Sequence, residues 1–189
     1  MENQHFGAKI EAQLMTSPLI KPQRALIHSI WDVEHWRKGF LLSQTRDFNT
    51  VTDEGLDALL DIMFHAATQL TTWYVLLFES DTTPDGDTTY ATPVFTESTA
   101  YDEANRVQFE EAAASGQSMT NSANKATFTI SDTKTIYGAA LVAGGTDADT
   151  KDDQAGGGTM YCASKFAASK SVVDDDVINV TITLTAADA

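Results

Sequence analysis

The sequence predicts a mainly β protein, an antiparallel β-sandwich of jelly-roll or immunoglobulin-like type with one amphipathic helix and an extended N-terminal arm. Residues 126–130 and 178–185 alternate apolar and polar side chains with a period of two, which is typical of strands that bury one face. Only residues 52–67 show a clear helical period. Strands therefore do not alternate with helices, which argues against a parallel α/β fold.

The chain is expected to divide into an arm, residues 1–24, and a single sandwich domain, residues 25–189. The arm has scattered apolar residues without a period, and Pro18 and Pro22 would interrupt a helix. An extended arm of this length could reach roughly 80 Å at ~3.3 Å per residue. Such an arm could bury a large area on a partner, through apolar side chains that we expect to be Phe6, Ile10 and Leu14.

A β-hairpin is predicted at the start of the domain. Residues 25–31 and 40–45 have the composition of strands, and residues 37–39 have that of a turn. The hairpin is aromatic and basic, and Trp and Arg are frequent anchors of protein interfaces. The candidate partner-interface residues here are Trp31, Trp36 and Arg37, although the two Trp rings could equally belong to the core.

A helix of about four turns is predicted over residues 52–67. Thr50 or Thr52 can cap its N-terminus, and acidic residues in its first turn suit the helix dipole. This helix is expected to pack against a sheet, because an isolated amphipathic helix must bury its apolar face. Its apolar positions are Leu56, Leu59, Leu60, Met63, Phe64 and Ala67.

Further strands and loops follow the helix. Residues 72–79 have an unbroken apolar middle, which favours a strand buried on both faces, and residues 135–142 are predicted to be a second apolar strand. Residues 80–92 make an acidic, Thr-rich loop and residues 143–158 a long Gly-rich loop. Residues 99–116 fit neither period, and their structure is left open.

The charge distribution limits the possible partners. Residues 1–50 hold 6 Lys and Arg against 5 Asp and Glu, whereas residues 51–189 hold 6 against 22. Such an acidic domain repels nucleic acids and anionic membranes, so we expect neither as a partner. The chain has one cysteine, Cys162, which excludes an intrachain disulfide. Residues 1–30 lack the continuous apolar stretch of a secretion signal, so synthesis and assembly in a cytoplasm are expected.

Motifs for catalysis or metal binding are weak. Tyr161 and Lys165 match the Tyr-x-x-x-Lys signature of short-chain dehydrogenases, but no Gly-rich dinucleotide turn follows a first strand. The Asp residues of loops 80–92 and 143–158 could hold Ca²⁺, yet neither loop has EF-hand spacing, and solvated turns are the simpler interpretation. We therefore expect a non-enzymatic protein without a cofactor.

Several motifs resemble a family of virion structural proteins of tailed bacteriophages. The resemblance spans residues 30–189 and depends on structural motifs: a helix cap, core strands and turns. The motifs are WRKG at 36–39, NTVTDEGLDALLD at 49–61, TTWYVLLF at 71–78, SMTNSAN at 118–124, FTI at 128–130, IYGAALV at 136–142, and the end at 177–186. The resemblance implies a component of the virion and carries over no catalytic residues.

Two functions fit this resemblance. The first is a capsid cement or decoration protein on the capsid surface, which would bind the major capsid protein, bridge neighbouring subunits and self-associate as a dimer or trimer. The second is a tail-fibre, adaptor or receptor-binding component. The sequence favours cement, because the arm and the basic, aromatic hairpin would suit attachment to a lattice.

Overall fold

The computed structural model describes residues 25–188 as two antiparallel sheets that face each other, with one helix. The first sheet contains β1 (Ala25–Arg37), β2 (Phe40–Phe48), β6 (Ser118–Thr120), β7 (Ala126–Thr129) and β10 (Val177–Asp188). The second contains β3 (Thr50–Val51), β4 (Trp73–Phe78), β5 (Val107–Gln108), β8 (Lys134–Gly144) and β9 (Gly158–Val172). The helix is α1 (Asp53–Phe64). The predicted sandwich-like, mainly β fold is confirmed; the predicted arm lies outside the described residues.

The order of strands in the first sheet is β2-β1-β10-β6, and β7 also pairs with β10. The longest strand pairing joins the first and last strands, with Ala25 opposite Asp188 and Trp36 opposite Val177. The second sheet has the order β3-β9-β8-β4-β5. The predicted hairpin is present as β1, a turn at residues 38–39 and β2, although both strands run longer than the sequence suggests.

The main core fills the space between the sheets, and β10 shows how the period of two builds it. Ile178, Val180 and Ile182 have no exposed surface, whereas the residues between them are partly exposed. The apolar alternation therefore faces inward as predicted. Other strands complete this core with Trp31, Val33, Val75, Leu77, Phe128, Ile136 and Leu141.

A second apolar cluster covers the outer face of the second sheet. Leu76 and Phe78 of β4 lie there with Phe95, whose ring stacks on Phe78 with centroids 4.3 Å apart. Residues 79–106 carry Tyr90 and Phe95 across this face. This second layer explains why β4 is apolar without interruption, as expected for a strand buried on both faces.

The helix starts at its predicted cap but packs differently from the prediction. The Thr52 side chain accepts a 3.0 Å hydrogen bond from the Gly55 amide, and the Glu54 carboxylate accepts one from the Met160 amide on β9. Gly55 is buried so closely against β9 that a Cβ there would overlap the Tyr161 carbonyl oxygen. The first turn thus touches the sheet, whereas the helix ends at Phe64, before the predicted end at residue 67.

The apolar stripe of the helix is consequently not buried as expected. Leu56 and Leu59 are half-buried, but Leu60, Met63 and Phe64 are exposed, and Phe64 retains 81 % of its surface. The physical reason is the mode of attachment, because the contacts that fix α1 to β9 come from its cap and first turn, through Thr52, Glu54 and Gly55. An apolar helix face therefore remains open to a partner.

Candidate partner interface

Trp31, one of the candidate interface residues, belongs to the core. It has no exposed surface, and its indole Nε1 donates a 2.8 Å hydrogen bond to the Ser29 hydroxyl. Both residues occupy inward positions of β1, which alternate with outward ones. The described fold thus places this ring in the core, which is one of the two alternatives that the sequence left open.

Trp36 and Arg37 lie at the end of the hairpin, where both are partly exposed. The Trp36 indole donates a 3.0 Å hydrogen bond to Glu34 on the same strand. The Arg37 guanidinium donates two 2.7 Å hydrogen bonds to the buried carboxylate of Asp176, which precedes β10. Arg37 therefore has a structural partner within the chain, while part of its side chain stays accessible to another protein.

The Asp176 carboxylate is the centre of a small polar cluster. Besides Arg37, it accepts hydrogen bonds from His35 Nε2 at 2.8 Å and from the Val173 amide at 2.9 Å. Burial alone would raise the pKa of Asp176, but the hydrogen bonds from Arg37, His35 and Val173 outweigh burial and hold that pKa well below its ordinary value. The cluster ties the β1–β2 turn to the loop before β10.

Replacing Asp176 by Asn is expected to cost about 2–3 kcal/mol of unfolding free energy at pH 7, because hydrogen bonds to a charged group are lost. A depressed pKa means that Asp176 stabilises the fold above its unfolded pKa of about 3.9 and loses this contribution as the pH falls below it. The difference between wild type and Asp176→Asn should therefore shrink between about pH 5 and pH 2. Urea unfolding across this range measures the difference.

The exposed neighbour Asp174 provides the matched control. Asp174→Asn removes the same charge from the same loop and should leave stability nearly unchanged, since isolated surface changes have small effects. An Asp176→Asn difference that stays constant with pH would contradict the role assigned to the ionised carboxylate.

The edge strand β2 exposes apolar side chains, of which only Phe40 belongs to the aromatic and basic segment that the sequence indicates as a possible interface. It pairs with β1 on one side, and its other edge has no strand partner among the described residues. Phe40 is 74 % exposed, and Leu41, Leu42 and Phe48 are also exposed. Three consecutive apolar residues in a strand must place at least one side chain on each face. The run at residues 40–42 therefore indicates an apolar side chain on the outer face of β2. Edge strands of this kind are templates for pairing with another chain.

An apolar cavity of about 750 Å³ opens at one end of the sandwich. Its walls come from the first sheet through Ile27, Met119 and Leu184, and from the second sheet through Trp73 and Tyr161. The helix adds Leu59, and the remaining lining residues are Gln69, Leu70, Thr71, Phe109, Glu111, Ala114, Gln117, Ser118, Leu141, Thr185 and Ala186. No sequence pattern indicates this cavity, because its lining is drawn from segments that are distant in the chain.

The Tyr161 and Lys165 motif does not form a catalytic pair. Both lie on β9, but Tyr161 packs against Trp73 at the cavity wall, with ring centroids 5.8 Å apart, whereas Lys165 forms an ion pair with Asp81. Burial raises the pKa of Tyr161 to about 12. A dehydrogenase tyrosine needs the opposite shift, since its phenol exchanges a proton near neutral pH.

A buried ion pair holds the two acidic loops together. Arg106 and Glu97 are both almost completely buried, and the Arg106 guanidinium donates to both carboxylate oxygens of Glu97, at 2.9 and 2.6 Å. Its remaining donors reach the Tyr90 hydroxyl and the backbone oxygens of Ala148 and Asp153. All five N–H donors of the arginine are thereby used, and the predicted loop 143–158 is anchored to residues 79–106.

Burial of the Arg106–Glu97 pair affects the two groups differently. Burial raises the pKa of Glu97, against the lowering effect of its hydrogen bonds with Arg106. Burial alone would lower the pKa of Arg106, but the hydrogen bonds and charge of Glu97 raise it above the ordinary value. Arg106 therefore stays charged, and its role here is structural.

The acidic loops show no metal centre in the part of the chain that the structure describes. Across residues 25–188, no group of three His, Cys, Asp or Glu side chains is arranged to hold a metal ion. In the same range, no helix has the length and apolar character needed to cross a membrane. Phe6, Ile10 and Leu14, the arm residues predicted to contact a partner, lie outside the described residues.

Comparison with known proteins points to a phage family. The family model described as Gp80, Podophage GP4 fiber I protein gp80, matches residues 51–186. Searches among curated proteins and among solved structures find no significant match. The family match supports the resemblance to virion structural proteins of tailed phages, but it is to a fibre protein and gives no support to a capsid cement role.

Proposed function

The chain belongs to the family of the podophage GP4 fiber I protein gp80, a family of phage virion components, and from this premise we propose that it is a structural subunit of a tail fibre. The observation that carries the proposal is the family match over residues 51–186, which includes the helix and the whole second sheet except Thr50. The subunit acts through contacts with other proteins and not through catalysis.

The surface chemistry suits such a subunit. The edge strand β2 offers Phe40, Leu41 and Leu42 beside the exposed basic residue Lys38 of the turn. Acidic side chains of a neighbouring copy would be attracted to the exposed Lys38 at this strand end. Self-association through β2 would also cover apolar side chains and the backbone groups of an edge.

The test is the location and copy number of the chain in purified phage particles. Quantitative mass spectrometry against the major capsid protein should give a ratio far below lattice stoichiometry, as expected for a tail appendage. Electron microscopy with an antibody against the chain should place the label at the tail. A ratio close to that of the major capsid protein, with label over the whole head, would refute the fibre proposal in favour of a cement protein.

A further inference from the structure

The apolar cavity is too large to be a packing defect. An engineered apolar cavity of about 150 Å³ is large enough to bind benzene, and this one measures about 750 Å³. Leaving Trp73, Tyr161 and Leu184 around an open space forgoes contacts that a filled core would provide. Apolar walls on both sheets and on the helix indicate a site built to receive apolar side chains.

The described part of the chain begins at the mouth of this cavity. Ala25 starts β1, and Ile27 on the same strand lines the cavity wall. The start of β1 therefore lies beside the opening. Ile20 comes five positions before Ala25, so the covalent chain limits the distance between these two residues to at most about 17–18 Å.

The sequence of residues 1–24 has the composition that the cavity requires. Its apolar side chains nearest the fold are Leu14, Met15, Leu19 and Ile20. Pro22 lies between them and β1, and proline favours the turn that would bring the chain back toward the opening. Residues 1–24 hold 3 Lys or Arg against 2 Asp or Glu, whereas residues 25–189 hold 9 against 25, so the segment is electrostatically attracted to the domain.

We propose that the cavity is the docking site of the chain's own N-terminal segment, which inserts apolar side chains from residues 14–20 between the two sheets. The short covalent connection to β1 favours the segment of the same chain over that of a second copy, because it gives the segment an effective concentration in about the millimolar range. The inference depends on the geometry of the cavity and the start of β1, and it holds whether or not the chain is a fibre subunit.

The first experiment removes the side chains that would fill the cavity. Replacing Leu14, Met15, Leu19 and Ile20 together by Ser should increase the fluorescence of the apolar-surface dye ANS at least about threefold, because the cavity becomes accessible. The melting temperature should fall at the same time, since the apolar contacts between segment and cavity are lost.

The matched control changes four polar residues of the same segment. Asn3, Gln4, Gln13 and Gln23 are each replaced by Ser, which leaves the apolar side chains and the charge of the segment in place. This control should bind ANS as the wild type does. Equal ANS binding by the wild type and the apolar-to-Ser variant would overturn the proposal.

A second experiment identifies the chain that fills the cavity. Ala114 lines the cavity and is exposed, whereas Thr133 is exposed at the opposite end of the sandwich, near Arg37. With a short bis-maleimide reagent, Leu19→Cys combined with Ala114→Cys should give an intrachain cross-link at monomer mass, and Leu19→Cys combined with Thr133→Cys should give none. The native Cys162 has no exposed surface and should not react.

The cross-linking outcomes separate the possible occupants. Products of dimer mass with the Ala114→Cys pair would overturn docking within one chain and assign the cavity to the segment of a second copy. Absence of any cross-link at Ala114, together with unchanged ANS binding, would leave the cavity to a ligand that is not part of this chain and would also overturn the proposal.

Discussion

A fragment limited to residues 51–186 is expected not to fold, although it contains the whole region that matches the family. It lacks β1 and β2, so β10 loses the partner that it pairs with from Val177 to Asp188. It also loses Trp31 and Val33, which have no exposed surface in the intact core. Truncating a buried Trp alone typically costs about 3–5 kcal/mol, against a total stability of about 5–15 kcal/mol.

Circular dichroism and urea unfolding provide the measurement. The fragment should show no cooperative transition, whereas a chain that starts at Ala25 should unfold cooperatively, because it keeps every described strand. Adding a peptide of residues 25–50 to the fragment should restore part of the near-ultraviolet signal, since the peptide supplies β1. A cooperative transition in the fragment alone would show that β10 does not depend on β1.

The sequence was informative where a local pattern has one physical cause. Ile178, Val180 and Ile182 alternate with polar residues, and a strand with one buried face is the simplest structure that satisfies them. The hairpin was predictable for a similar reason, and Gly39 indeed adopts a positive φ of 80° that suits a tight turn. These features depend on neighbours within a few residues, so they can be predicted without knowledge of the fold.

The sequence was less informative where packing depends on distant segments. The helix stripe has the correct period, but the period cannot show that Gly55 would dock on β9 and leave Phe64 exposed. The cavity is lined by both ends of the domain and by the middle of the chain, which no local pattern brings together. Residues 99–116 show no period because Arg106 and Phe109 are buried by contacts specific to this fold.

Replacing Arg106 by Met is expected to cost about 3–5 kcal/mol of unfolding free energy, because it leaves the Glu97 carboxylate buried without its cation. The double variant Arg106→Met with Glu97→Leu should recover part of this loss, since removing both charges also removes the cost of burying them, whereas the hydrogen bonds to the loop oxygens stay lost. Urea unfolding of the two single variants and the double variant measures this coupling. The exposed Arg46–Asp32 pair is the control, and Arg46→Met should cost at most about 1 kcal/mol.

The pH dependence of the stability of Arg106→Met tests whether the cost of this variant comes from the unpaired Glu97 carboxylate. Burial already raises the pKa of Glu97, and the loss of Arg106 should raise it further. A carboxyl group whose folded pKa lies above its unfolded value destabilises the fold at high pH, and this cost disappears as the pH falls through the folded pKa. Arg106→Met should therefore regain stability relative to wild type on acidification. If its loss of unfolding free energy is instead independent of pH, the cost comes from lost packing and loop contacts rather than from an unpaired charge.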